Sequence, residues 1–140
     1  MARLTPYLTV HDGAAALAYY AAAFGAREIG ERYTEGDGRI GHATLAIGDD
    51  VLYLSDEFHE YGAYSPATLG HSTAAIVLVV DDVDAVYAAA IAAGGTVDRP
   101  PSEQGGERRG WLVDPFGHRW ALSSQASSSS TPSSVSTASR

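Results

Sequence analysis

The strongest constraint on this 140-residue chain is that it repeats itself. Val10 aligns with Val80, Asp12 with Asp82, the Ala21-Ala22-Ala23 run with Ile91-Ala92-Ala93, and Gly25 with Gly95, all at an offset of 70. The later parts align at an offset of 68, so that Leu54 falls on Leu122. A repeat in which strands, helix starts and glycines all recur implies two copies of one supersecondary unit.

Each copy reads as strand, helix and three further strands. Arg3 to Val10 alternates with period 2, as a half-buried strand does. Asp12 is placed to accept at the N-terminus of a helix over Ala14 to Phe24. Leu17, Tyr20, Ala21 and Phe24 form that helix's apolar stripe, and Gly25 suits its end. Strands follow over Ala26 to Tyr33, Arg39 to Ile47 and Val51 to Ser55. They are separated by turns at Glu35-Gly36-Asp37-Gly38 and Gly48-Asp49-Asp50. In the second copy a strand spans Ala74 to Val80. Asp81 or Asp82 caps a helix with the stripe Val83, Val86, Tyr87, Ala90 and Ile91. A short strand over Thr96 to Arg99 ends at Pro100-Pro101. Strands over Arg108 to Val113 and His118 to Ser123 flank an Asp114-Pro115-Phe116-Gly117 turn. The expected fold is α+β: two tandem βαβββ modules, at 3–57 and 74–123, forming a cupped mixed sheet with helices on the outer face. From Ser124 to Arg140 the chain is mostly Ser, Thr, Ala and Pro. It is expected to be a disordered tail, because such a composition buries too little to offset ordering entropy.

Composition narrows the function. Apolar residues make up 45% of the chain and cysteine is absent, so disulfides, thiolate metal sites and cysteine nucleophiles are excluded. All nine basic residues are arginines, and the net charge of −8 argues against nucleic acid and anionic membrane surfaces. The N-terminus has no signal-peptide apolar region, and no apolar run is long enough to span a bilayer, so a cytoplasmic location is expected. No nucleophile elbow or phosphate-binding glycine loop appears.

Alternation along the strands assigns faces. Leu4, Pro6, Leu8 and Val10 are expected to face helices, leaving Thr5, Tyr7 and Thr9 toward a cleft. On the fourth strand Tyr53 and Ser55 face the cleft. On the fifth strand Ala75, Val77 and Val79 do so, and on the last Arg119, Ala121 and Ser123. His42 and Thr44 share the cleft side of the third strand. His42 with Asp56 or Glu57 is a candidate acid/base pair, against the alternative of a hydrogen-bonded histidine lining a polar cleft. Trp111 could add to the wall, although period 2 slightly favours the core for it. Arg108 and Arg109 are placed to meet an anion near the mouth. The aromatic-rich 56–73 segment, with Phe58, Tyr61, Tyr64 and His71, reads as a lid, a packed connection or a dimer contact. His11 and His118 read as surface or capping residues.

The segments TPYLTVHDGAAALAYYAAAFGA, GRIGHATLAIGDDVLYLSDE, SPATLG and WLVDPFGHRWAL together resemble the vicinal oxygen chelate superfamily. That group comprises glyoxalase I, bleomycin-resistance proteins, fosfomycin-modifying enzymes and extradiol dioxygenases, and the likeness is nearest the glyoxalase-like, bleomycin-resistance-like branch. The resemblance implies paired βαβββ modules around a cleft and a homodimer, often with exchanged modules. Metal-using members place one ligand on the first and one on the last strand of each module. Those positions carry over to Thr5, Tyr53, Ala75 and Ala121. None is His, Gln or Glu, and a slip of one residue does not restore a set, so no metal or other cofactor is expected. The reading that follows is a metal-free binding protein for a small organic molecule, cationic or aromatic, of the drug-sequestering antibiotic-resistance kind. Its ligand-binding residues are Tyr7, Thr9, His42, Tyr53, Ser55, Arg108 and Trp111, with His42 the one catalytic candidate. The alternative is a divalent-metal lyase or dioxygenase with an atypical ligand set.

Overall fold

A computed structural model describes residues 1–125; the tail expected from Ser124 lies, beyond Gln125, outside the described residues. The element order is β1 (Tyr7–Thr9), α1 (Gly13–Phe24), β2 (Arg27–Thr34), β3 (Ile40–Ile47), β4 (Asp50–Ser55), α2 (Pro66–Leu69), β5 (Ala75–Val79), α3 (Val83–Ala92), β6 (Thr96–Gln104), β7 (Glu107–Val113) and β8 (Arg119–Ser123). Each βαβββ unit builds its own mixed four-stranded sheet, ordered β1-β4-β3-β2 and β5-β8-β7-β6. The first and last strands of each unit pair in parallel, placing Tyr7 beside Tyr53 and Val77 beside Ala121. The repeat read from the sequence is therefore kept at the level of strand register.

Both main helices start as the sequence requires. The Asp12 and Asp82 carboxylates accept from the Ala15 and Ala85 amides at 3.1 Å, satisfying N–H groups that have no partner within the helix. Gly25, at φ 70°, closes α1 in the left-handed conformation. The buried face of α1 is Ala16, Tyr19, Tyr20 and Ala23, with Leu17 and Phe24 half-buried. That face is rotated from the expected stripe because α1 packs on α3 as well as on its own sheet. The Tyr19 hydroxyl donates to the Ala90 carbonyl at 3.0 Å. A Cβ on Gly95 would lie 2.7 Å from that hydroxyl, so the glycine is needed for the approach.

The core lies between the helices and one face of each sheet. Leu8, Val10, Ala43, Leu45, Leu52 and Leu54 come from the first unit, and Leu112, Trp120 and Leu122 from the second. Its polar centre is Asp114, which is 3% exposed. Its carboxylate accepts from the Phe116 and His118 amides and the Trp120 indole, each at 2.9 Å. It also accepts from the Tyr20 hydroxyl of α1. Burial and the adjacent carboxylate hold the Tyr20 phenol well above its ordinary pKa, so it remains a donor. The Asp-Pro-Phe-Gly turn is thus the joint between the two units.

Two expectations are corrected. Leu4, expected in the core, is fully exposed, because β1 begins only at Tyr7. The strand expected to stop at Arg99 continues through Pro100 and Pro101 to Gln104. Proline is tolerated there because β6 is an edge strand and its register is irregular between Arg99 and Ser102. Of the readings left open for the 56–73 segment, the packed connection is the one seen. It holds a 3₁₀ turn at His59–Tyr61 and the short α2, whose Ala67 amide donates to the Phe116 carbonyl. No helix among the described residues is long and apolar enough to cross a membrane.

Candidate ligand-binding site

The sheet faces turned away from the helices carry the functional candidates. In the first sheet Thr44 lies opposite Tyr53, and Tyr7 lies beside Tyr53. This gathers the three rings of Tyr7, His42 and Tyr53. Tyr7 meets both other rings edge-on, with centroids 5.4 Å from His42 and 5.5 Å from Tyr53, and His42 lies 4.7 Å from Tyr53. Edge-to-face contacts of this kind add about 0.5–1.5 kcal/mol each to simple burial. Tyr7 nonetheless remains 53% exposed, so the cluster is a platform and not a sealed core. Partial burial raises the Tyr7 phenol's pKa.

Hydrogen bonding fixes the imidazole. Tyr7 Oη donates to the Gly41 carbonyl at 3.1 Å and lies 3.0 Å from His42 Nδ1. A phenol has one proton to give, so Nδ1–H donates to Tyr7. His42 Nε2 then accepts from the Thr44 hydroxyl at 3.2 Å. Both ring nitrogens are engaged, and the imidazole is held in one orientation between Tyr7 and Thr44.

The expected carboxylate partner of His42 is absent from this group. Asp56 accepts from the Gly13 and Ile40 amides, both at 2.6 Å, so it anchors the start of α1. Glu57 accepts from the Ser65 amide at 2.7 Å and pairs with His59 at 2.8 Å. Burial works to raise its pKa, but the hydrogen bonds from Ser65, Thr68 and His59 prevail and hold it at about 2. Glu57 and His59 line a polar cavity of about 560 Å³ together with His11, Asp37, Arg39 and Glu60. Its charges are mutually paired, Arg39 bridging Asp37 and Glu60 at 2.8 and 2.9 Å. Arg39 also stacks 4.0 Å over Phe58, so this knot fastens the connecting segment to the first sheet.

The remaining predicted residues are divided. Thr9 and Ser55 pair with each other at the end of the first sheet. Ser55 is buried, and the Thr9 carbonyl accepts from His118 Nε2 at 2.8 Å, tying the sheets together. Arg108 lies on the helix side, bridged to Asp84 of α3 at 2.6 Å, and does not reach the open face. Trp111 does reach it: it sits opposite Ala121 and Arg99, with both Arg99 and Arg119 over its ring. Arg109 shares that face and is held by Glu107 at 3.2 Å. Arg99 and Arg119 were missing from the sequence-derived site. Arg119 is legible from its parity on β8, whereas Arg99 reads in the sequence as the end of a strand and β6 runs on past it.

The four positions that hold metal in metal-using members do not fit a cation. Thr5 and Tyr53 offer only neutral hydroxyls, Ala75 and Ala121 offer nothing, and the Ala121 methyl is fully buried. The nearest imidazole, His42, has both ring nitrogens engaged. Among the described residues, no group of three or more His, Asp or Glu side chains is arranged to hold a metal ion.

The family model described as Glyoxalase/Bleomycin resistance protein/Dioxygenase superfamily matches residues 2–122. The chain belongs to that superfamily. An uncharacterized Mycobacterium bovis protein, Mb0911c, is 39% identical over 123 residues, 85% of this chain and 80% of the relative. TioX from Micromonospora sp. ML1 shares the fold at a TM-score of 0.67 and 23% identity, covering 91% of this chain and 98% of TioX. The fosfomycin resistance protein FosX from Mesorhizobium loti does so at 0.66 and 19%, covering 89% and 92%. At these identities the two solved structures show the fold alone.

Proposed function

We propose that this chain is a metal-free small-molecule binding protein that sequesters an organic ligand on the open faces of its two sheets. The observation that carries the reading is the exposed Tyr7–His42–Tyr53 platform, built beside the ligating positions, in a chain whose ligating positions are Thr5, Tyr53, Ala75 and Ala121. Aromatic surface with a few fixed polar groups suits stacking and one or two directed hydrogen bonds. It does not suit activation of a substrate by a Lewis acid. Drug capture by bleomycin-resistance proteins of the same superfamily makes resistance by sequestration a natural role.

A homodimer belongs to the same proposal. Tyr7, Val77 and Val79 each leave about half their surface exposed on the open faces, and a second copy would cover them and deepen the cleft. A cytoplasmic location is likewise part of this reading. The test is a thermal-shift panel of antibiotics on chelator-treated protein, paired with drug susceptibility of cells expressing it. Ligand-dependent stabilisation together with resistance supports the reading. Binding or turnover only after addition of Ni, Zn, Mn or Fe would favour the alternative, a metal-dependent lyase or dioxygenase.

A further inference from the structure

The open face of the second sheet differs in charge from the chain as a whole. Trp111 on β7 stands between strands that each send a guanidinium to its ring. Arg99 of β6 lies 4.8 Å from the indole centroid and Arg119 of β8 lies 5.2 Å from it. Among the described residues neither arginine has an ion-pair or side-chain hydrogen-bond partner. The third guanidinium of that face, Arg109, is taken up by Glu107 and Ser123. Two uncompensated cations therefore meet at one aromatic ring in a chain of net charge −8, where carboxylate partners are abundant elsewhere.

Each guanidinium lies within cation–π distance of the indole, and among the described residues neither spends its N–H donors on a side-chain partner. That geometry is prepared for an anion, since a guanidinium edge binds a carboxylate through two parallel hydrogen bonds. Space for an organic body adjoins it. Arg119 also lines a cavity of about 370 Å³ walled by Val113, Pro66, Ala67, His71 and Gly117. Resting on the small-molecule reading above, we propose that Arg99, Trp111 and Arg119 form an anion-recognition subsite selecting an aromatic carboxylate, with the carboxylate drawn to the unpaired guanidinium groups and the ring in the pocket that Arg119 lines. This reverses the preference for a cationic ligand that net charge alone favours.

The test titrates the full chain, freed of metal by chelation, with 2-naphthoate, 2-naphthylmethanol, 2-naphthylmethylammonium and inorganic phosphate, read by calorimetry and tryptophan fluorescence. The naphthoate should bind at least about tenfold more tightly than the alcohol, the value of one charge-assisted pair. Its affinity should fall with added salt, and the ammonium compound should bind no better than the alcohol. Arg99→Gln and Arg119→Gln should each weaken naphthoate about tenfold without weakening the alcohol. Both arginines lie outside the core, so the variants should keep the wild-type melting profile. The ligand-charge and salt comparisons test the assignment in the unmodified chain. Equal binding of all three naphthalenes, or arginine variants that bind naphthoate as the wild type does, would overturn it. Phosphate binding as tightly as naphthoate would overturn the aromatic part. If the neutral or cationic compound binds and is lost in Tyr7→Ala but not in the arginine variants, the general binding reading stands and the anion assignment falls.

Discussion

Tyr20→Phe should cost this protein about 2 kcal/mol without altering its shape. Tyr20 donates from α1 to Asp114, a residue 94 positions away that is almost fully buried. The substitution removes one hydroxyl, keeps the ring in place against Phe24 and Trp120, and leaves the carboxylate three donors in place of four. A hydrogen bond to a charged group contributes roughly 1.5–3 kcal/mol. At ~2.1 cal/mol/K per residue over the ordered part of the chain, ~2 kcal/mol corresponds to a melting-temperature drop of about 8 °C. Asp114→Asn should cost more, about 3–4 kcal/mol, because an amide turns its NH₂ toward donors that need an acceptor. Urea unfolding followed by circular dichroism gives each value, and the double variant closes the cycle. The two sites should couple by about 1–2 kcal/mol. The raised phenol pKa adds a pH signature. A folded pKa above the unfolded value of 10.0 stabilises the fold fully below pH 10 and loses that contribution as pH rises further. Tyr20→Phe should flatten the alkaline limb of the stability curve. A loss below about 0.5 kcal/mol, or strict additivity in the cycle, would refute the Tyr20–Asp114 joint as the tie between the units.

Other expectations follow from the site and its supports. Glu57 titrates at about 2 in the fold against 4.5 ordinarily, so its stabilising contribution is complete above pH 4.5 and disappears as pH falls toward 2. Glu57→Gln should flatten acid denaturation in that window, measured by fluorescence against pH. Gly117→Ala should destabilise by about 2–4 kcal/mol in urea unfolding, combining a disfavoured φ with overpacking. Gly117 has φ 91°, and a Cβ there would lie 2.8 Å from Pro66 Cβ. His42→Ala should weaken ligand binding about tenfold by calorimetry while changing stability by less than about 1 kcal/mol, because the ring is only half-buried and its partners Tyr7 and Thr44 are exposed and half-buried.

The sequence carried the architecture well because the repeat reports on both helices and strands at once: Asp12 and Asp82 cap, and Tyr7–Tyr53 and Val77–Ala121 pair in equivalent registers. It misplaced one strand face. Thr44 lies opposite Tyr53, and Trp111 lies opposite Ala121, so Trp111 is the structural counterpart of Thr44, and Arg109 of His42. The sequence offset that fits β8 is one residue too long for β7. Since side chains alternate, that slip exchanges the two faces. Period 2 slightly favours the core for Trp111 and does not separate Arg108 from Arg109 at the mouth; in the fold Trp111 lies on the open face and Arg108 bridges to Asp84. The role of Asp114 was not legible at all. Its turn chemistry is local, but the tyrosine that completes its bonds lies in the other unit, and only packing brings them together. His42 was found from parity, whereas its partners Tyr7 and Thr44 could be named only once strand register was known.

The central claim is that the open faces bind an organic molecule without a metal. The decisive measurement is a melting curve of chelator-treated full-length protein against ligand concentration, with and without added divalent Ni, Zn, Mn and Fe. The account predicts a saturable rise, reaching about 2.7 kcal/mol of added stability at a ligand concentration about 100 times Kd, and the same rise with or without metal. Stabilisation that appears only when a divalent metal is present would contradict it.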